Sequence, residues 1–98
     1  MTNQSKNIHL SIQVVPLTQA NQVYPIVDKA INLIQKSGFR YIVSPMETTI
    51  EGPFNEILAL VQEIHEITLQ HADEILINVK IHSRKESDIT FEEKGISI

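Results

Sequence analysis

The sequence contains no cysteine and no tryptophan, only three glycines, and no apolar run that approaches the roughly 18 residues of a membrane span. Without cysteine the chain has no disulfide, no thiolate nucleophile, no iron–sulfur cluster and no cysteine-ligated zinc site. The three glycines are scattered at positions 38, 52 and 95, so no glycine-rich phosphate loop is present. The lack of an apolar run, together with a polar N-terminus, predicts a soluble, cytoplasmic protein that does not enter a membrane.

Positive charge and aromatic residues are also scarce. Eight Lys and Arg stand against twelve Asp and Glu, which gives a formal net charge of −4, and aromatic residues make up 5% of the chain. Nucleic-acid-binding domains need a basic surface, and sheets that bind single-stranded RNA also need exposed aromatic rings. We therefore expect no nucleic-acid partner. The length of 98 residues and the hydrophobic content of 42% are typical of one globular domain.

The hydrophobic pattern changes period several times along the chain. Four segments that alternate apolar and polar residues or lie between turn signals predict strands: 8–15, 39–44, 46–51 and 74–82. Two segments with apolar residues at helical spacing predict amphipathic helices: 23–36 and 54–71. The order β-α-β-β-α-β predicts an α+β, ferredoxin-like sandwich, with a four-stranded antiparallel sheet and two helices on one face.

The two ends of the chain fit this domain less well. We expect residues 8–84 to form the ferredoxin-like domain, residues 1–7 to be a disordered N-terminus, and residues 85–98 to be a charged, loosely docked C-terminal tail. The sheet face opposite the helices carries apolar residues that an open face does not require: Val15, Ile42 and Leu76. Covering them by sheet-to-sheet contact predicts a homodimer, or a homotetramer of paired dimers.

The segment from Ser44 to Pro53 carries the densest group of polar and charged side chains in the chain. Because adjacent strand residues point to opposite faces, burial of Ile50 under the helices places Thr48 beside it and Thr49 on the other side. The second helix contains His65, which the predicted apolar stripe turns toward the sheet. Thr48 and His65 are therefore expected to face each other across one cavity.

Each of these residues also has a purely structural interpretation. Thr48 favours a strand by its β-branched side chain, and His65 could be a core histidine whose nitrogens find internal partners. Glu51 could stabilise the positive end of the following helix. These alternatives stay open at the level of sequence.

Catalysis and metal binding have little support in the residue pattern. The four histidines, at positions 9, 65, 71 and 82, show no spacing typical of a metal site. Glu47, Glu51 and His65 could form an acid–base set, but no activated nucleophile or oxyanion loop accompanies them. We expect a protein that is not an enzyme and that uses neither a metal nor a cofactor.

Four segments together resemble the thiamine-binding protein family: Val14-Val15-Pro16-Leu17, Pro45-Met46-Glu47-Thr48-Thr49-Ile50-Glu51-Gly52, Glu63-Ile64-His65-Glu66 and Val79-Lys80-Ile81-His82-Ser83-Arg84. The resemblance covers nearly all of residues 8 to 84. The residues that match the family's motifs are Thr48, Ile50, Glu51, Gly52, His65, Glu66 and Arg84, whereas Glu47 stands where the family usually has Gly and His82 where it usually has Asp. The resemblance implies a ferredoxin-like fold, dimers or tetramers, and binding of thiamine or its hydroxymethylpyrimidine part without catalysis.

Thiamine is a cation with an aminopyrimidine ring, so its site needs acidic residues, hydrogen-bonding groups and apolar or thioether walls. Seven residues supply that chemistry and form the predicted ligand site between sheet and helices: Ser44, Met46, Glu47, Thr48, Glu51, His65 and Asn78. The alternative hypothesis is a structural or regulatory homo-oligomeric module whose pocket is vestigial and whose function lies in contacts with another protein.

Overall fold

The computed structural model describes residues 6–96 and confirms the predicted order of elements. The strands and helices are β1 (Asn7–Pro16), α1 (Ala20–Lys36), β2 (Arg40–Val43), β3 (Thr48–Pro53), α2 (Phe54–Leu69) and β4 (Ile75–His82), followed by a short 3₁₀ helix, Glu92–Lys94. The strands form one antiparallel sheet in the order β2-β3-β1-β4, and the two helices pack on one of its faces. The predicted ferredoxin-like sandwich is therefore confirmed.

The hydrophobic core lies between this sheet and the helices. Strand β1 alternates as the sequence predicts, and its residues Ile8, Leu10 and Ile12 are buried on the helix side. The helices contribute the facing residues of the core: Ile26, Ala30 and Ile34 from α1, and Ile57, Leu60 and Ile64 from α2. Burial of these side chains is the main favourable term for folding and fixes which face of each strand points inward.

The register of the sheet aligns side chains in rows that cross all four strands. On the face without helices, one row is Ile42, Thr49, Ser11 and Lys80, and the next is Arg40, Glu51, His9 and His82. Residues in one row lie on neighbouring strands about 4.8 Å apart. These two rows carry most of the polar and charged side chains on that face.

The C-terminal segment 89–96 differs from the predicted loosely docked tail. Ile89 and Phe91 are almost fully buried, and the Ile89 amide donates a hydrogen bond to the Asn7 carbonyl at 3.0 Å. The prediction was wrong for this segment because it relied on the charged composition of residues 85–98 as a whole. The buried side chains of Ile89 and Phe91, separated by one residue, instead help to dock this segment against the sheet.

Of the predicted disordered N-terminus, residues 1–7, the structure describes only residues 6 and 7. Residues 1–5 of the predicted disordered stretch lie outside the described residues, and Asn7 is the first residue of β1. The boundaries of the domain at residues 8 and 84 stay a prediction, although segment 89–96 packs against the same sheet.

Gly52, at the end of β3, is a position where only glycine fits the packing. A Cβ atom there would lie 2.8 Å from Cδ1 of Phe39 and 3.3 Å from Cδ1 of Ile57. Both neighbours belong to the packed region between sheet and helices. The glycine therefore lets the start of α2 approach the sheet closely.

Replacing Gly52 by Ala should lower the free energy of unfolding by about 1 to 3 kcal/mol, because the added methyl overpacks against the Phe39 ring. Urea denaturation of the two proteins measures the loss. A Phe39→Leu background is the control, since a smaller side chain leaves room for the methyl. If Gly52→Ala costs the same in both backgrounds, the contact with Phe39 is not the cause.

Candidate functional site

Two cavities lie on opposite faces of the sheet. The first, of about 330 Å³, is enclosed by α1, by β1 and by the loop that joins β2 to β3. Four of the seven predicted site residues meet there: Ser44, Met46, Glu47 and Thr48. We call this space the helix-side cavity.

The loop that carries these residues is closed by a turn. The Ser44 amide donates a hydrogen bond to the Glu47 carbonyl at 2.9 Å, and β3 then begins at Thr48. Thr48 is 6% exposed and lines the cavity on the inner face of the sheet, whereas Thr49 lies on the opposite face. The placement of Thr48 and Thr49 predicted from strand alternation is confirmed.

The helix-side cavity has an acidic and apolar lining. Glu47 reaches it from the loop and Asp28 from α1, and no Lys, Arg or His side chain is among its lining residues. The exposed side chains of Tyr24 and Met46 also line it. The arrangement offers a cation two carboxylates and an aromatic and a thioether contact.

The sequence analysis missed Asp28 and Tyr24. They lie four residues apart in α1, at the spacing that places two side chains on one helix face. This spacing was available from the sequence, but which face of α1 borders the loop after β2 depends on how the helix packs on the sheet. Only the assembled fold brings Asp28 and Glu47 to the same cavity.

Glu51 does not reach the helix-side cavity, which corrects its predicted place in one pocket with Thr48. It lies two residues after Thr49 and shares its face, so its buried carboxylate points away from the helices. The Glu51 carboxylate oxygens accept bonds from His9, Arg40 and the Phe91 amide, and no side chain caps the start of α2.

His65 and Asn78 are also outside this cavity. His65 is exposed, because the buried residues of α2 are Ile57, Leu60, Ile64 and Thr68. The predicted apolar stripe included Leu58, which is exposed. The predicted packing face of α2 was therefore displaced around the helix from the face that is buried. Asn78 is exposed on the face of β4 without helices, where its side-chain amide donates to Oε1 of Gln13 at 3.1 Å.

The buried Glu51 carboxylate is the centre of a hydrogen-bond network. Its Oε1 accepts from the Phe91 amide at 2.7 Å and from Nε2 of His9 at 2.9 Å, and its Oε2 accepts from Nη1 of Arg40 at 2.7 Å. Because an ionised carboxylate only accepts, the hydrogen of this His9 contact resides on Nε2. The His9 ring also contacts the Phe91 ring, with centroids 4.4 Å apart. Glu51 thus ties β1, β2 and the C-terminal segment to β3.

Two exposed ion pairs reinforce the docking of the C-terminal segment. Arg40 pairs with Glu92, and its hydrogen bond holds the pKa of that carboxyl below the ordinary value. Arg84 pairs with Glu93 at 2.6 Å, and its hydrogen bond lowers the Glu93 pKa from 4.5 to about 2. Both carboxylates are therefore charged at neutral pH.

The second cavity lies on the face without helices and has a volume of about 420 Å³. It is bordered by the row of side chains that contains Thr49, Ser11 and Lys80 and by the C-terminal segment. Its lining residues are His9, Ser11, Ile42, Ser44, Thr49, Lys80, Ile81, His82, Phe91, Lys94 and Ile96. We call this space the tail-side cavity.

Within residues 6–96, no group of three or more His, Asp or Glu side chains is placed to hold a metal ion. No helix in this part of the chain has the length and apolar character needed to cross a membrane.

Known proteins resemble this chain over most of its length. A family described as "Thiamine-binding protein" matches residues 10–98. The UPF0045 protein CPE1503 of Clostridium perfringens is 31% identical over 86 residues, which cover 88% of this chain and 90% of that protein. The structure of a domain of unknown function, DUF77, from Bacillus cereus is 37% identical to this chain and superposes on it with a TM-score of 0.86. The match covers 96% of this chain and 91% of the Bacillus cereus chain.

A second solved structure carries a functional description. It is a candidate thiamine biosynthesis or salvage protein of Thermotoga maritima, 35% identical to this chain, with 90% of this chain and 94% of that one covered and a TM-score of 0.84. These similarities agree with the resemblance found from the motifs.

Glu51→Gln should lower the free energy of unfolding by on the order of 2 to 3 kcal/mol, because the neutral amide weakens the bonds to Arg40 and His9 in a buried setting. Chemical denaturation followed by circular dichroism measures the change. Glu63→Gln, an exposed residue of α2, is the control and should change stability by less than about 0.5 kcal/mol. Equal effects of the two substitutions would contradict the central role of Glu51.

Proposed function

The chain belongs to the thiamine-binding protein family, and on that premise we propose that it binds thiamine, or the hydroxymethylpyrimidine part of thiamine, without catalysing a reaction. The observation that carries the proposal is the helix-side cavity, where the loop with Ser44, Met46, Glu47 and Thr48 faces α1. The cytoplasmic location expected from the sequence stays a prediction.

The charge of the helix-side cavity fits a cationic ligand. Asp28 and Glu47 are the only charged side chains among its lining residues, and both are acidic. Thiamine carries a permanent positive charge on its thiazolium ring, and hydroxymethylpyrimidine lacks that ring. The two carboxylates should therefore favour thiamine over its pyrimidine part by electrostatic attraction.

The polar atoms of the cavity fit a pyrimidine ring edge. The hydroxyl of Thr48 is held on the inner face of the sheet, and Ser44 lies at the other end of the same loop. Hydroxyl groups both donate and accept, so they can bond to the amino group and to the ring nitrogens of an aminopyrimidine. Ile12, Ile31 and Ile34 supply apolar walls.

Three of the predicted ligand residues lie outside the proposed site. Glu51, His65 and Asn78 do not line the helix-side cavity. A direct ligand contact for them requires another site on the protein. We therefore propose that the ligand contacts the four predicted residues that line the helix-side cavity, together with Asp28 and Tyr24.

Assembly into a homodimer or homotetramer also stays a prediction. The C-terminal segment covers the part of the face around Glu51 and His9, so this face is less open than we expected. Val15 and Leu76 are opposite each other on β1 and β4, beyond that segment, and Leu76 is exposed. This end of the sheet is the surface that we propose for contact with a second copy.

Calorimetric titration with thiamine and with hydroxymethylpyrimidine tests the proposal. We expect thiamine to bind more tightly, and Glu47→Gln and Asp28→Asn to reduce thiamine affinity several-fold while changing hydroxymethylpyrimidine affinity little. Asp73→Asn, an exposed acidic residue outside the cavity, is the matched control. No heat with either compound, on folded protein free of copurified ligand, would contradict the proposed function.

The position of the ligand is tested by Thr48→Val and Thr49→Val. The first substitution keeps the shape of the side chain but removes a hydroxyl in the helix-side cavity, so it should cost about 1 kcal/mol of binding free energy, or about fivefold in affinity. Thr49 lies on the other face, and its substitution should leave thiamine affinity nearly unchanged. Sensitivity of Thr49 with a silent Thr48 would place the ligand on the opposite face of the sheet.

A further inference from the structure

The tail-side cavity has the opposite electrostatic character to the helix-side cavity. Its lining includes Lys80 and Lys94, two of the eight Lys and Arg residues of the chain, together with His9 and His82, but no Asp or Glu. This is unexpected in a chain whose net charge is −4. The local charge therefore favours an anion where the overall charge does not.

The carboxylates that hold the C-terminal segment beside this cavity are already paired. Glu51 accepts bonds from His9, Arg40 and the Phe91 amide, and Glu92 pairs with Arg40. Within residues 6–96, neither Lys80 nor Lys94 is part of an ion pair. Among the described residues, no carboxylate competes with a ligand for these two ammonium groups.

The sheet provides hydroxyl groups beside the lysines. The register places Thr49, Ser11 and Lys80 next to one another on three adjacent strands. The hydroxyls of Ser11 and Thr49 are 3.3 Å apart, so one donates to the other, and the accepting hydroxyl keeps its own hydrogen to donate to a further oxygen atom. Hydroxyl and ammonium groups side by side are the partners that phosphate and carboxylate oxygens accept from.

The C-terminal segment provides an apolar wall. The Ile96 amide donates to the Phe91 carbonyl and the Gly95 amide to the Glu92 carbonyl, both at 3.0 Å, and Gly95 has a φ of 79°. This is the Schellman arrangement, which brings the first and last residues of the motif together. Phe91 and Ile96 both line the cavity, and Ile42 from β2 lines it as well.

We propose that the tail-side cavity is a second ligand site that binds a small organic anion, with its phosphate or carboxylate group at Lys80 and Lys94 and its apolar body against Phe91 and Ile96. The volume of about 420 Å³ is within the range of small-molecule sites. The sheet lies between this site and the helix-side cavity, and Ser44, in the loop after β2, is the one lining residue that the two share.

Titration with phenyl phosphate, benzoate and phenol tests this inference, since the three probes share a ring and differ in charge. We expect one or both anions to bind, phenol to bind at least tenfold more weakly, and the affinity of the anions to fall as the salt concentration rises. Binding of phenyl phosphate alone identifies the site as one for phosphate esters, and binding of benzoate as well extends it to carboxylates. Absence of binding by both anions, or equal binding of phenol, overturns the proposal.

Lys80→Gln and Lys94→Gln test the assignment of the residues. Each should reduce the affinity for the bound anion by about threefold or more, whereas Lys29→Gln, an exposed lysine of α1 on the other side of the sheet, should not. An equal loss in all three variants would mean a non-specific charge effect and would overturn the site.

Competition distinguishes this site from the proposed thiamine site. Thiamine and the bound anion should occupy the protein together, and Lys80→Gln should leave thiamine affinity unchanged. Mutual exclusion of the two would show that they share one cavity, and the inference of a second site would be wrong. A protein that binds the anion but not thiamine would keep this inference and contradict only the proposed function.

Discussion

The paired carboxylate of Glu51 is the contact on which the face without helices depends. A buried charge is costly unless it is fully bonded, and Glu51 obtains its partners from His9, 42 residues earlier, and from Phe91, 40 residues later. It therefore couples the first strand, the third strand and the end of the chain in one network. Arg40 pairs with both Glu51 and Glu92. The C-terminal segment is therefore held at two adjacent residues, Phe91 and Glu92.

The alternation of strand residues divides the chemistry of the protein between two faces. Thr48 and Ile50 point toward the helices, whereas Thr49 and Glu51 point away from them. The same four-residue stretch thus lines an acidic cavity on one side and anchors the C-terminal segment on the other. The two proposed ligand sites therefore lie on opposite faces of the sheet, and only Ser44 lines both cavities.

Periodicity in the sequence predicted the fold and the opposite orientation of Thr48 and Thr49, because these depend on local spacing. The same alternation shows that Glu51 cannot share a face with Thr48, so this error was avoidable from the sequence. The error at His65 arose because Leu58, though apolar, lies outside the packing face of α2. The pairs Asp28 with Glu47 and Lys80 with Lys94 are different cases. The residues of each pair line one cavity but come from distant segments, whose positions only the packed structure determines.

The ion pairs of the C-terminal segment connect its docking to pH. Glu92 and Glu93 have lowered pKa values in the folded protein, so they bind protons less readily there than in the unfolded chain. Their contribution to docking is therefore fully present above the ordinary value of 4.5 and is lost as the pH falls, for Glu93 through about 2. Because both carboxylates are exposed, solvent screens this contribution, and the buried contacts of Glu51 and Phe91 supply most of the docking. At neutral pH all of these contacts act together and keep the C-terminal segment docked. The apolar wall of the proposed anion site is therefore in place at the pH at which the site would bind its ligand.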